Sequence, residues 1–169
     1  MKNKRRVIPF RRKREGKTNY KKRIQMLESG IPRLVIRKSL MNVTAQIISY
    51  DQKGDKVMAA ACSKELRKYG WIYSGCNMPV AYLVGFLVGK KAKDKKINNV
   101  IADFGLNRPT KDSIFTAALK GAIDSGLNVP HDDAILPKAD RIQGKHIADY
   151  RKIDVPKQVE EVLGKIKGK

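Results

Sequence analysis

The amino-terminal segment contains the residues whose types and spacing most clearly favour one chemistry. Residues 1–38 carry fifteen Lys and Arg against two acids, Glu15 and Glu28, and so hold +13 of the formal net charge of +21. Within residues 1–23, twelve basic residues stand against one acid. A cationic segment of this kind binds a polyanion by releasing condensed counterions. The sequence therefore predicts a phosphate-binding arm.

The arm has too few apolar residues to fold by itself, so we expect it to be disordered in isolation. Phe10 and Tyr20 are spaced among the cations. A ring there can stack on an unpaired base while guanidinium groups bind the backbone, which favours RNA. A membrane-surface helix would need an apolar stripe along one face, which the arm lacks. A localisation signal or a solubility tail remains the alternative for the basic run alone.

Candidate RNA contacts in the arm combine charge, small polar donors and one ring, a mixture that a solubility tail would not need. They are Arg5, Arg6, Arg11, Arg12, Arg14, Lys17, Thr18, Asn19, Tyr20, Lys21, Lys22 and Arg23.

A second candidate set begins on the first predicted strand. Arg33 and Arg37 lie four residues apart, so their side chains leave the same face about 13 Å apart and can reach neighbouring phosphates. The residues that follow can donate hydrogen bonds to 2′-hydroxyls and phosphate oxygens; they are Lys38, Ser39, Asn42 and Gln46. An ordinary solvated strand face is the alternative interpretation.

Acidic residues raise the competing hypothesis of an enzyme. Asp103 closes a predicted strand, and Asp132 and Asp133 could join it in two-metal nuclease chemistry. Such a site needs three or four converging carboxylates. The remaining acids would have to come from the hairpin turn at residues 51–55, and no Glu lies in the predicted strands. We therefore predict no enzymatic activity. A free RNA chaperone, the third class, would share the arm but would not need an α/β body.

The remaining reactive side chains are isolated. Cys62 and Cys76 are fourteen residues apart without a CxxC pair, and His131 and His146 have no neighbouring ligands. This spacing predicts neither a metal site nor a cofactor. We expect buried thiols, and histidines that are structural or face RNA. We expect Trp71 to be a core or lid residue.

A lysine cluster follows the longest predicted helix and comprises Lys90, Lys91, Lys93, Lys95 and Lys96. Cations at a helix end complement its dipole and its unpaired carbonyls. We therefore favour a structural role for these lysines over RNA contact.

The elements that position these residues predict an α/β fold. Residues 33–37, 43–50 and 56–61 favour an antiparallel three-strand meander, and residues 99–104 a fourth, buried strand. Helices are predicted at 64–69 and 78–91, and a third helix, capped by Asp112 or Ser113, is predicted to run through Ser125. A mixed sheet flanked by helices follows, because a parallel strand needs a crossover helix. No run of about 18 apolar residues predicts a membrane span, and no secretory signal is predicted, so we expect a cytosolic protein.

The chain divides into three predicted parts. Residues 1–25 form the basic RNA-binding arm, and residues 26–137 form the α/β core domain. Residues 138–169 form a helical appendage, because the segments 142–152 and 157–167 read as polar helices with few apolar residues.

Four blocks of sequence resemble one family, the archaeal and eukaryotic branch of the 5S ribosomal RNA-binding large-subunit protein, number eighteen in the universal large-subunit nomenclature. The blocks, in order, are residues 14–20 with Arg23; residues 29–37 leading to Gln46; residues 105–106, 108–115, 119–122, 124–127 and 130–131; and residues 141–142, Gly144, 146–148 and Tyr150. Their order and spacing span nearly the whole chain. Residues 109–112 depart from the family's Thr- and Gly-rich turn, and without the long carboxy-terminal extension of the eukaryotic members the archaeal form is the closer match.

The resemblance implies a structural constituent of the large ribosomal subunit in the cytoplasm. It would bind 5S rRNA and help attach it to the large-subunit rRNA in the central protuberance, beside neighbouring large-subunit ribosomal proteins. The implied sheet is ribonuclease-H-like, of the type found in translational machinery, which brings no catalytic activity with it. Arg108 joins the RNA contacts on this ground. No cofactor, metal, membrane or small-molecule substrate is implied.

Overall fold

The centre of the protein is a four-stranded mixed sheet. The computed structural model describes residues 7–168, so the predicted contacts Arg5 and Arg6 lie outside the described residues. The strands are β1 (Arg33–Lys38), β2 (Val43–Ser49), β3 (Lys56–Cys62) and β4 (Ile101–Asp103), in the order β3-β2-β1-β4. β1, β2 and β3 are antiparallel, whereas β4 is parallel to β1. The predicted meander and mixed sheet are confirmed.

The two faces of the sheet differ in chemistry because side chains alternate along a strand. Leu34 and Ile36 of β1 face the core and are fully buried, as are Val43, Ala45 and Ile47 of β2. The opposite side, which we call the open face, carries three register pairs of β1 and β2; they are Arg33 with Ile48, Val35 with Gln46 and Arg37 with Thr44. The fold thus separates an apolar face from one that carries both polar and apolar side chains.

Helices cover the core face and flank the sheet. They are α1 (Arg11–Arg14), α2 (Tyr20–Glu28), α3 (Met78–Asp94), α4 (Ile114–Asp124), α5 (Ala139–Gln143), α6 (Lys145–Arg151) and α7 (Val155–Lys167), with 3-10 segments at Ser63–Tyr69 and Asp133–Ile135. None of the helices within residues 7–168 is long and apolar enough to cross a membrane.

α3 and α4 begin and pack as their sequences require. The Asn77 side chain accepts a hydrogen bond from the Val80 amide at 2.9 Å, and Ser113 caps α4 in the same way. The two helices touch through glycines: a Cβ on Gly85 would lie 1.9 Å from the Ala118 carbonyl oxygen, so no larger residue fits this crossing. This close packing builds the layer that supports the sheet.

α7 belongs to the core, which corrects the prediction of a carboxy-terminal appendage. Val155, Val159, Val162 and Ile166 are all buried in the main hydrophobic cluster. They follow one another at intervals of four, three and four residues, which places them on one helical face. The charged residues between them make the segment polar on average. What decides its packing is the helical periodicity of the apolar residues. The predicted helix 157–167 is confirmed within α7, which completes the core. The helix predicted at 142–152 is divided at Gly144 between α5 and α6, neither of which buries a residue.

The described part of the arm contains helix as well as loop. α2 is capped by Asn19, whose side chain accepts a hydrogen bond from the Lys22 amide at 3.1 Å, and it runs across the boundary predicted at residue 25. Neither α1 nor α2 buries a residue. The arm therefore adopts local structure that the disorder prediction did not anticipate, without contributing to the core.

Candidate nucleic-acid interface

The arm lies against the open face of the sheet and encloses a cleft, which we call the arm–sheet cleft. Its lining includes the predicted contacts Arg12, Lys17, Thr18, Asn19, Tyr20, Lys22 and Arg23 from the arm, and Arg33 and Arg37 from β1. Sequence analysis predicted these as two separate sets. The tertiary structure brings both to one concave surface, on which cations dominate.

A continuous series of ion pairs crosses this cleft, and we call it the arginine–aspartate chain. Arg23 of α2 and Arg33 of β1 each place an Nη2 atom 2.8 Å from the same Oδ2 atom of Asp55. Arg33 Nη1 then lies 3.0 Å from Asp103 Oδ2. Arg37 Nη2 completes the series 3.5 Å from Asp103 Oδ1. Three arginines and two aspartates thus link the arm helix to the edge of the sheet.

Arg33 and Arg37 leave the same face, as predicted, but they are not equivalent. The Arg33 side chain is only 4% exposed, whereas that of Arg37 is 46% exposed. Arg33 is a buried link between two carboxylates, so its guanidinium is engaged by Asp55 and Asp103, and its direct contact with RNA stays a prediction. Arg37 also donates from Nη1 to the carbonyl oxygens of Ile36 and Asp103, both at 2.9 Å, and remains at the surface.

The outer part of the arm is exposed and has its own ion pairs. Arg11 Nε lies 2.7 Å from Glu15, and Lys17 Nζ lies 2.8 Å from the same carboxylate. These two cations, Arg11 first, lower the pKa of Glu15 and keep it ionised. The Phe10 and Tyr20 rings pack on each other with their centroids 5.3 Å apart. Arg14 and Lys21 are exposed as well.

The hairpin between β1 and β2 holds three of the predicted contacts. Ser39 and Asn42 close its turn, because Ser39 Oγ accepts from the Asn42 amide at 3.0 Å and donates to its carbonyl at 3.2 Å. Lys38 is exposed beside them. Leu40 and Met41, at the tip, are 99% and 75% exposed and were not singled out by sequence analysis. Gln46 is half-buried on the open face.

Lys38 and Arg108 line a second cleft that adjoins the first, since Asn107 borders both. Arg141 and His146 also line this second cleft, and sequence analysis noted them only through the family resemblance or as isolated residues. Burial first, and the nearby Arg141 charge second, lower the pKa of His146. The two clefts together form one basic surface.

The carboxylates do not assemble into a metal-binding group within the part of the chain that the structure describes. Asp55 and Asp103 are taken up by arginines, and Asp103 also accepts from the Gly105 amide at 2.7 Å. Asp133 lies 3.2 Å from His131 Nε2. Cys62 and Cys76 are free thiols, but they are half-buried where sequence analysis predicted buried thiols.

The structural interpretation of the lysine cluster is confirmed for Lys90, Lys91 and Lys95, with a different partner from the one expected. Lys90 Nζ donates to the carbonyl of Ile166 in α7 at 2.5 Å. Lys91 and Lys95 donate to carbonyls of β3, at 2.8 and 2.6 Å. They bind other elements, not their own helix end. Trp71 is buried, and its Nε1 donates to the Ser74 carbonyl.

Comparison with known proteins gives first a class and then a family. Residues 4–101 match the family described as ribosomal large subunit proteins 60S L5 and 50S L18, so the class is that of large-subunit ribosomal proteins. Over 143 residues the chain is 49% identical to the large ribosomal subunit protein uL18 of Methanococcus maripaludis, an alignment that covers 85% of this chain and 74% of that relative. The chain belongs to this family, which confirms the resemblance and the predicted location in the large subunit of the cytoplasmic ribosome.

Proposed function

We propose that the protein is a structural constituent of the large ribosomal subunit that binds 5S rRNA and helps attach it to the large-subunit rRNA in the central protuberance. The observation that carries the proposal is the convergence of arm and sheet cations on the arm–sheet cleft. Family membership supports the ribosomal setting. Phosphates are the groups for which such a surface has the most affinity.

In this proposal the two walls of the cleft have different roles. Arg12, Lys17 and Lys22 would bind phosphates from the arm side. Arg37 would bind from the sheet, because its side chain remains half exposed while the carbonyls of Ile36 and Asp103 orient it. A planar guanidinium held in this way matches a phosphate with two hydrogen bonds.

The other predicted contacts extend the same interface. Lys38 and Arg108 would continue it into the second cleft, and the remaining arm cations would track the RNA backbone around it. Neighbouring large-subunit ribosomal proteins are the further partners we propose. We also propose that the sheet is of the ribonuclease-H-like type, which its order of three antiparallel strands and one parallel strand supports.

We infer that the role is structural and not catalytic. Two of the candidate metal ligands, Asp55 and Asp103, are each paired with two arginines. A carboxylate engaged in this way would have to give up its partners before it could bind Mg²⁺. The polar cleft is therefore suited to binding a phosphate backbone and not to cutting it.

Footprinting of 5S rRNA and large-subunit rRNA, with and without the protein, tests the proposal. We expect protection of the 5S backbone at nanomolar to micromolar protein and a second set of protections on the large rRNA. A purified protein that binds 5S rRNA no better than an arbitrary duplex of equal size, at cellular ionic strength, would contradict it.

A further inference from the structure

Two carboxylates lie in the middle of a surface that is otherwise suited to phosphates. Asp55 and Asp103 both line the arm–sheet cleft. A carboxylate repels a phosphate, so on charge alone these residues weaken binding of every nucleic acid. Both nevertheless contact the arginines on which the cleft depends. Their placement therefore needs a reason other than the sum of charges.

We propose that Asp55 is a positioning residue: it holds Arg23 and Arg33 in one geometry and so makes the cleft selective for a folded RNA with matching phosphate spacing over an arbitrary polyanion. This inference rests on the proposed RNA-binding function, and it assigns Asp55 no contact with RNA. The residue acts through the two arginines that share its Oδ2 atom.

The position of Asp55 makes it the joint between arm and sheet. Arg23 lies on α2, which buries no residue of its own, while Arg33 lies on β1 with its side chain almost fully buried. Asp55 Oδ2 accepts from both at 2.8 Å, across 32 and 22 residues of sequence. No other ion pair of the described residues joins α2 to the sheet. The location of Arg23 over the cleft thus depends on this carboxylate.

Arg33 transmits the constraint further, because Asp103 holds its other nitrogen at 3.0 Å and also lies 3.5 Å from Arg37. The exposed cations at the two ends, Arg23 and Arg37, are therefore set at a spacing that the buried link determines. Pre-set cations lose less conformational freedom on binding a rigid ligand. The fixed spacing gives no such advantage in affinity for a flexible ligand, which can adapt to any spacing of the cations. The acids also penalise polyanions that bind by charge alone.

Two variants that remove the same charge distinguish positioning from simple electrostatics. Asp55→Asn removes the joint, whereas Asp51→Asn removes a carboxylate in the same β2–β3 turn that pairs with Lys56 and does not line the cleft. Binding of full-length protein to 5S rRNA and to a scrambled RNA of equal length is measured for each. Asp51→Asn is expected to tighten binding to both RNAs by about twofold or less, because salt screens the repulsion between a surface carboxylate and the RNA.

Asp55→Asn is expected to weaken binding to 5S rRNA about three- to tenfold, because the freed Arg23 side chain must then be ordered on binding. Binding to scrambled RNA is expected to stay equal or become tighter. The ratio of the two affinities is the readout, since a loss of fold would weaken both. Asp55→Glu, which keeps the charge, is expected to keep the ratio within about twofold of the parent. A folded Glu variant that loses the ratio as fully as the Asn variant contradicts an ion-pair role.

Arg23→Lys provides a second route, because Arg23 is partly exposed and its change leaves Arg33 with both acids. It keeps the charge but not the planar guanidinium, so it is expected to lower the ratio about two- to fivefold. An unchanged ratio in Arg23→Lys, or equal shifts in Asp55→Asn and Asp51→Asn, overturns this inference alone. A parent protein without preference for 5S rRNA overturns the proposed function and this inference together.

Discussion

At the scale of single residues, equal spacing in sequence does not mean equal function. Arg33 and Arg37 lie on the same face of β1, and their four-residue spacing predicted as much. Arg33 is buried because Asp55 and Asp103, from distant parts of the chain, neutralise it there. A charge can be buried only when it is paired and hydrogen-bonded. The pairing, and hence the role, depends on residues that are not neighbours in sequence.

The two arginines should therefore respond differently to the same substitution. Arg33→Gln leaves two carboxylates without their shared partner, so it is expected to lower the free energy of unfolding by about 3 kcal/mol. Arg37→Gln is expected to lower it by less than about 1 kcal/mol and to reduce the salt slope of RNA binding by about one phosphate contact. Urea denaturation and salt-dependent binding measure the two effects. Equal losses of stability would contradict the assignment.

At the scale of elements, α7 illustrates how a polar helix can be part of the core. Its mean polarity comes from residues such as Lys157, Glu160 and Glu161, which are exposed. Its buried positions occupy only one residue in three or four, which is all that an amphipathic helix needs. Periodicity, and not average composition, is the property that bears on packing.

Val162→Ala tests the contribution of α7 to the core. The Val162 side chain is 1% exposed, so its truncation is expected to lower the free energy of unfolding by about 2 kcal/mol. Glu161→Ala, at the exposed position beside it, is the matched control and should change it by less than about 0.5 kcal/mol. Thermal or urea denaturation is the measurement. An independent appendage would give no difference between the two variants.

The arm is the element whose removal should separate affinity from folding. Deletion of residues 1–18 keeps α2 with its Asn19 cap, and neither α1 nor α2 buries a residue. We expect the remaining chain to stay folded by circular dichroism, while binding to 5S rRNA weakens and its dependence on salt flattens, because fewer counterions are released. Salt slopes that are equal for the truncated and intact proteins would count against an RNA-binding arm.

At the scale of the whole molecule, a net charge of +21 is compatible with a stable α/β body because most of the cations are at the surface and the buried Arg33 is paired with Asp55 and Asp103. In so basic a protein, acids such as Asp55 and Asp103 can serve as partners of arginines, so their presence need not indicate an enzyme. In assays with Mg²⁺, the purified parent protein and the variants Asp103→Asn and Asp133→Asn are all expected to show no cleavage of RNA. Magnesium-dependent cleavage by the parent protein that disappears in either variant would reverse this conclusion.

The sequence by itself determined the local features of this protein. Strand alternation, helix caps and the turn at residues 51–55 all depend on residues close in the chain, so the meander, α3 and α4 were predicted correctly. The family could also be recognised from the sequence, because the blocks that carry the resemblance are short stretches of consecutive residues.

The tertiary structure alone decided where these features meet. It brought the arm to the open face, placed Asp55 between Arg23 and Arg33, and buried the apolar face of α7 in the core. The physical reason is that burial and ion pairing depend on distances in space between residues far apart in sequence. Local propensity carries no information about those distances, which are determined only when the apolar faces of all the elements are packed together.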